Sequence, residues 1–255
     1  LMISLYVKGQ KAIYFGQMKV IFNSRLIDIK EIKFSDLYRL AFFGDGLFES
    51  IYCDKNHIYL IQEHLNRLME GAEKLNINTD ILPDMEELLN YISKLRQLNN
   101  NNYQRLKILL WRSGMGKYMP EQINNSNYMI MIENTDPFSV ERIESYSVSQ
   151  KTILPENAYS GFKTSNSLNY VLMAIERKQV NTDALLTLDQ SGYISESVSQ
   201  NILFIKGNQL IIPISKSRVY GVMENALIEL FRFREFEIRN LQVKKGEITS
   251  YDLLI

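Results

Sequence analysis

Lys163 and Glu196 are two residues whose types and surroundings suit a single chemistry. Lys163 falls in a short polar segment, between an irregular Pro/Asn/Ser/Gly stretch and a helix predicted to begin near Ser165 with Leu168, Val171, Leu172 and Ile175 on one face. Downstream, Ala184 to Leu188 and Tyr193 to Ser197 read as strands joined at Asp189-Gln190-Ser191-Gly192, and Asn201 to Ile205 reads as a third that turns at Gly207-Asn208. Glu196 therefore sits at a strand end. A lone lysine or glutamate is a solvated surface charge by default. An amine placed before a helix and a carboxylate at a strand end, about one βα unit apart, meet the two needs of pyridoxal phosphate. The amine holds its aldehyde, and the carboxylate keeps its ring nitrogen protonated so that the ring can take up a carbanion's electrons.

The rest of the chain supplies the elements that must position these groups. Ile3 to Val7, Lys11 to Phe15 and Val20 to Phe22 read as short strands, with a turn at Gly9-Gln10, whereas the periodicity of Ser35 to Ala41 leaves helical turn and connection equally open. Phe42-Phe43-Gly44-Asp45-Gly46 is a glycine turn entering a strand from Leu47 to Tyr52. A helix follows from about Ile61 to Leu75, with Leu65, Leu68, Ala72 and Leu75 as its buried stripe and Arg67 beside it; a second spans Met85 to Leu98 with Leu88, Leu89, Ile92 and Leu95 inward. Strands at Leu106 to Trp111 and Tyr128 to Glu133 flank a loop holding Arg112, Gly114, Gly116 and Lys117. A linker at 134–138 divides an N-terminal α/β domain, 1–133, from a C-terminal domain, 139–255. Gln209 to Pro213 is a strand, and Arg218-Val219-Tyr220-Gly221 leads into a helix beginning near Met223, whose first N–H groups lack intrahelical partners and suit an anion.

Composition narrows the function classes. With 255 residues and 45% hydrophobic content the chain can bury a sizeable core. The 29 basic residues balance the 29 acidic ones, which argues against a nucleic-acid or anionic-membrane partner. A single cysteine, Cys53, forbids an intrachain disulfide and fits a reducing cytoplasm, and two histidines, His57 and His64, make a histidine metal cluster or a Ser-His-Asp triad a poor reading. No apolar run reaches membrane-spanning length, and LMISLYVKGQ lacks a signal peptide's pattern, so the expectation is a soluble cytoplasmic protein.

The segments FFGDGLFESIY, EHLNRL, GFKTSNSL, LDQSGYISESVSQNILF and VYGVMENAL, in that order, resemble the signatures of the class IV aminotransferases, the fold-type IV pyridoxal phosphate enzymes, over most of the chain from about Phe42 onward. The resemblance implies an α/β (α+β), two-domain, D-amino acid aminotransferase-like fold with the cofactor between the domains, and a homodimer. It makes Lys163 the Schiff-base lysine and general base, Glu196 the partner of the pyridine nitrogen, and Asn201 the asparagine of an E-x-x-x-x-N pattern. Arg67 becomes the phosphate-binding arginine, and Gly221, Val222 and Met223 the phosphate turn. Phe43, Glu49 and Ser50 are placed near cofactor or substrate, and Arg112 and Lys117 become ligands for substrate carboxylates.

Three functional readings follow from the same resemblance. The K-x-x-N-x-L spacing of Lys163, Asn166 and Leu168 is shared by lyases and D-amino acid aminotransferases and differs from the branched-chain pattern; with the loop WRSGMGKY, and methionine at 223 where transaminases usually carry threonine, it favours 4-amino-4-deoxychorismate lyase, which eliminates pyruvate to give 4-aminobenzoate for folate biosynthesis. The alternative is a transaminase of branched-chain or D-amino acids acting on a small-molecule amine. A non-catalytic relative is the third, motivated by YDLLI standing where relatives continue through a further phosphate loop; either the sequence lacks its tail or phosphate is held more weakly.

Overall fold

The computed structural model describes residues 3–6, 18–99 and 101–254, and the statements below refer to these. The predicted strand at Lys11 to Phe15 and the turn at Gly9-Gln10 lie outside them. In chain order the elements are β1 (Ile3–Tyr6), β2 (Lys19–Phe22), β3 (Arg25–Asp28), α1 (Phe34–Phe43), β4 (Gly46–Cys53), α2 (Ile61–Lys74), α3 (Met85–Gln97), β5 (Gln104–Arg112) and β6 (Ser126–Asn134). They continue with β7 (Ser139–Arg142), β8 (Tyr146–Leu154), α4 (Leu168–Val180), β9 (Ala184–Asp189), β10 (Ile194–Ser197), β11 (Leu203–Lys206), β12 (Gln209–Pro213), α5 (Val222–Phe233), β13 (Glu237–Leu241) and β14 (Asp252–Leu254).

Two compact units result. The amino-terminal unit comprises Val7–Pro137 together with Phe162–Asn166, and the carboxy-terminal unit comprises Leu1–Tyr6, Phe138–Gly161 and Ser167–Ile255. A single cut at 134–138 contains neither exchange: β1 pairs with β7 and β14 of the second unit, and the five residues around Lys163 belong to the first.

The amino-terminal unit is built on an antiparallel sheet of order β3-β2-β6-β5-β4. On one face Ile51, Leu68, Ala72, Leu88, Ile92, Leu106 and Ile130 form a core with α2 and α3. On the other, Val20, Phe22, Trp111 and Met129 pack with Leu37 and Leu40 of α1. The undecided segment Ser35 to Ala41 is thus helical, because Leu37 and Leu40 have an apolar face to cover. Leu89, expected inward, is 42% exposed; the buried stripe of α3 runs through Leu88, Tyr91, Ile92 and Leu95, one step round the helix from it.

The carboxy-terminal unit holds a sheet of order β13-β12-β11-β14-β1-β7 and a smaller one of order β10-β9-β8. Leu203, Leu210 and Ile212 pack with Leu227, Ile228 and Phe231 of α5, while Met173 and Tyr170 of α4 pack with Leu154 and Leu185. Helix α4 starts at Leu168, not near Ser165, because residues 163–165 are drawn into extended pairing with β4: Leu47 bridges Thr164, and Ser165 N–H donates to Gly46 O at 2.8 Å. Leu168, Val171, Leu172 and Ile175 share a face as read, and that face is exposed. Among the described residues no helix is long and apolar enough to cross a membrane.

Candidate active site

In the amino-terminal unit the site begins with strand alternation. Along β4, Leu47, Glu49, Ile51 and Cys53 are buried while Phe48, Ser50 and Tyr52 are half-buried on the opposite face, so Glu49 and Ser50, expected together, point opposite ways. Lys163 is fixed through its main chain, with Phe48 N–H donating to Lys163 O at 2.9 Å. Its Nζ lies 4.7 Å from the centroid of the Phe48 ring. Gly44 closes α1 at φ +60, and a Cβ there would stand 3.1 Å from Asn166, so the glycine lets the two motifs lie against each other. Two residues after the lysine, Ser165 Oγ is buried and has no hydrogen-bond partner among the described residues.

Arg67, on α2, turns Nε and Nη2 onto Glu49 at 2.7 and 2.5 Å, and His64 Nδ1 meets the same carboxylate at 2.7 Å. Glu49 is 1% exposed. Burial alone pushes its carboxyl up, but the hydrogen bonds and charges of His64 and Arg67 outweigh this and hold it below the usual range.

The expected carboxylate ligands are arranged differently from the expectation. Arg112 is buried and donates to Asp45 Oδ2 at 3.2 Å, to the Asn76 and Ile123 carbonyls at 2.7 and 3.1 Å, and to Leu75 O at 2.8 Å. A guanidinium so occupied brackets the loop from within. Lys117 is exposed, with its carbonyl accepting from Arg39 at 3.0 Å. Phe43 lies in a ring cluster with Tyr38 and Tyr118 and under the Arg39 guanidinium.

In the carboxy-terminal unit Glu196, 3% exposed, is held at its carboxylate. Tyr170 Oη donates to Oε1 at 2.5 Å, and Val219 N–H points at both oxygens at 3.3 and 3.4 Å. Burial and the adjacent carboxylate push the Tyr170 hydroxyl far up, so it remains a donor throughout the working range of pH. Asn201 Nδ2 donates to Val219 O at 2.7 Å, and a Cβ on Gly221 would fall 1.8 Å from Asn201 Oδ1, so only glycine fits the turn that opens α5. No side chain caps α5, and its first N–H groups lie at Val222 and Met223. Arg218 forms a buried two-pronged ion pair with Glu224, with Nη2 to Oε1 at 2.9 Å.

Each unit carries features that suit a phosphorylated aldehyde: a lysine held by its main chain in the amino-terminal one, and a buried carboxylate and a glycine-led, uncapped helix start in the carboxy-terminal one. Sequence reading missed Phe48, Ser165, Tyr170 and the Arg218–Glu224 pair. His64 and Arg67, three apart on one helix, carried a spacing signal for a shared partner. Arg218 precedes its helix, so no helical spacing rule marks it.

The fold and site define a two-unit α/β enzyme of the pyridoxal phosphate type. The family profile described as amino-transferase class IV matches residues 46–254, and the chain belongs to that family, whose enzymes use pyridoxal phosphate. It is 25% identical over 239 residues to a putative branched-chain-amino-acid aminotransferase of Methanocaldococcus jannaschii, covering 92% of this chain and 81% of the relative. Among solved structures it resembles the branched-chain aminotransferase of the thermophilic archaeon Thermoproteus uzoniensis with norvaline, with TM-score 0.79, 16% identity, and 93% and 82% of the two chains covered. It also resembles 4-amino-4-deoxychorismate lyase from Pseudomonas aeruginosa, with TM-score 0.77, 25% identity, and 92% and 85% covered.

Proposed function

We propose that the protein is a pyridoxal phosphate-dependent aminotransferase acting on an amino acid with an apolar side chain, of the branched-chain or D-amino acid type. The observation that carries the cofactor reading is Lys163, an amine fixed by its main chain to β4 and seated over Phe48. Transamination is ranked above elimination on two grounds. Several relatives are named branched-chain-amino-acid aminotransferases, one of them as putative and another as probable. In addition, Arg112, which with Lys117 would orient the two carboxylates of the lyase's substrate, spends its donors on the loop it brackets.

Bound pyridoxal phosphate supplies an aldehyde and an electron-accepting ring. Lys163 Nζ would hold that aldehyde and, once released, would take the proton from the substrate's α-carbon and deliver it to the carbon that had carried the aldehyde. Glu196, held at its oxygens by Tyr170 Oη and Val219 N–H, would keep a proton on the ring nitrogen. Gly221, Val222 and Met223 present main-chain donors to the phosphate, and Asn201 shapes that turn. Arg67 adds positive charge while anchoring Glu49, and Phe43 and Ser50 lie towards substrate. A homodimer is part of the proposal, supported by the exposed rings of Phe34, Phe42 and Tyr118; a monomeric mass by light scattering would remove it.

One reading stands beside it. The likeness to the Pseudomonas lyase and the absence of a hydroxyl at Met223 favour 4-amino-4-deoxychorismate lyase. The deciding experiment adds L- and D-amino acids with 2-oxoglutarate to the yellow holoenzyme and, separately, supplies 4-amino-4-deoxychorismate. Loss of visible absorbance with an amino acid, restored by the 2-oxoacid, is expected. Release of 4-aminobenzoate without that exchange reverses the ranking, and a protein that stays colourless with added cofactor defeats both readings.

A further inference from the structure

Glu224 occupies the third position of α5, the helix whose uncapped start is read above as the phosphate turn. A carboxylate in the first turn stabilises a bare helix, yet beside a bound phosphate it repels. It is also buried, 6% exposed, so water screens it little. Arg218, equally buried and placed just ahead of the turn, meets it with both Nη atoms. The intervening residues are fixed as well: Val219 by Glu196 and Asn201, Tyr220 N–H by Gly161 O at 2.9 Å, and Gly221 against Asn201. The Nε of Arg218 is buried without a hydrogen-bond partner among the described residues, so a guanidinium is kept here at a cost in desolvation.

We propose that Arg218 is a positioning and charge-compensating residue of the phosphate turn: it cancels the Glu224 carboxylate at the start of α5 and so makes that helix start receptive to a phosphorylated ligand. The inference rests on the phosphate reading of α5. It predicts an effect confined to the phosphate, which sets it apart from an ion pair that merely holds the fold together.

The test compares the dissociation constants of pyridoxal phosphate and pyridoxal, read by the visible absorbance of the bound aldehyde, in wild type, Arg218→Met and Arg218→Met/Glu224→Gln. Wild type prefers the phosphorylated form. In Arg218→Met, with Glu224 left uncompensated, that preference falls about tenfold or more while pyridoxal affinity changes by less than about twofold. In the double variant, where the repelling charge is gone too, the preference returns to within about threefold of wild type. If Arg218→Met does not fold, Arg218→Lys replaces it; an ammonium cannot make the two-pronged contact, and the preference falls at least about threefold. Equal losses for both ligands, an unchanged preference, or no recovery in the double variant would overturn the assignment. A wild type without preference for the phosphorylated form overturns the phosphate reading of α5 itself, a distinguishable failure.

Discussion

Lys163 and Glu196 are held in opposite ways. The lysine is fixed by its main chain, bridged to the edge of β4, and the glutamate is fixed at its functional atoms by a tyrosine hydroxyl and a backbone N–H. A group that has to change bonding partners during turnover keeps its place through its backbone. A group that has to remain in one ionisation state is gripped at its oxygens.

Lys163→Ala has the largest effect and sharpens this contrast. Turnover and the visible band disappear, whereas the melting temperature of the apoprotein moves by less than a degree or two, because the main-chain bridge is retained. Loss of folded protein would show the side chain to be structural. Glu196→Gln comes next: single-turnover proton abstraction slows by about two orders of magnitude with cofactor still bound, since an amide cannot hold the ring proton. An unchanged rate removes Glu196 from this role.

The third prediction extends the comparison to Glu49, another carboxylate gripped at its oxygens. Arg67→Ala leaves it buried and short of its main partner, and costs about 3–5 kcal/mol in urea unfolding. Because the folded Glu49 carboxyl lies below its ordinary 4.5, its contribution is present above that value and is lost as pH falls through the folded one. The acid limb of the stability profile therefore flattens in Glu49→Gln; an identical limb would mean that Glu49 is not the group responsible. The smallest effect concerns the phosphate turn. Met223→Thr adds one hydroxyl donor and tightens cofactor binding by about 1.5–3 kcal/mol at most, and equal dissociation constants would place the phosphate away from residue 223.

Much of this was legible in the residues. β12 matches its predicted span, α2 and α3 lie within a residue of theirs, and the segments that gave the resemblance fall within the family match at 46–254 apart from Phe42 to Asp45. What stayed hidden has a common physical cause. Periodicity reports that residues share a face but not what covers it, so the stripe on α4 was readable and its exposure was not. Likewise a positive charge in a glycine loop reads as ligand-binding until its donors are traced. The carbonyls that occupy Arg112 come from Ile123 at the far end of its own loop and from Leu75 and Asn76 after α2, which no local pattern records.

The residues around Lys163 carry a second consequence. β4 is the last strand of its sheet, and an open edge offers unpaired N–H and C=O groups to any passing chain. Residues 163–165 cover its beginning, and Ile58 and Tyr59 cover its end through the Cys53–Ile58 bridge and the Tyr59 N–H bond to Tyr52 O at 3.0 Å. The lysine segment is thus also a guard against intermolecular strand addition. Changes that disturb its backbone, such as Thr164→Pro, are expected to appear first as self-association and inclusion-body formation, before any loss of cofactor is measured.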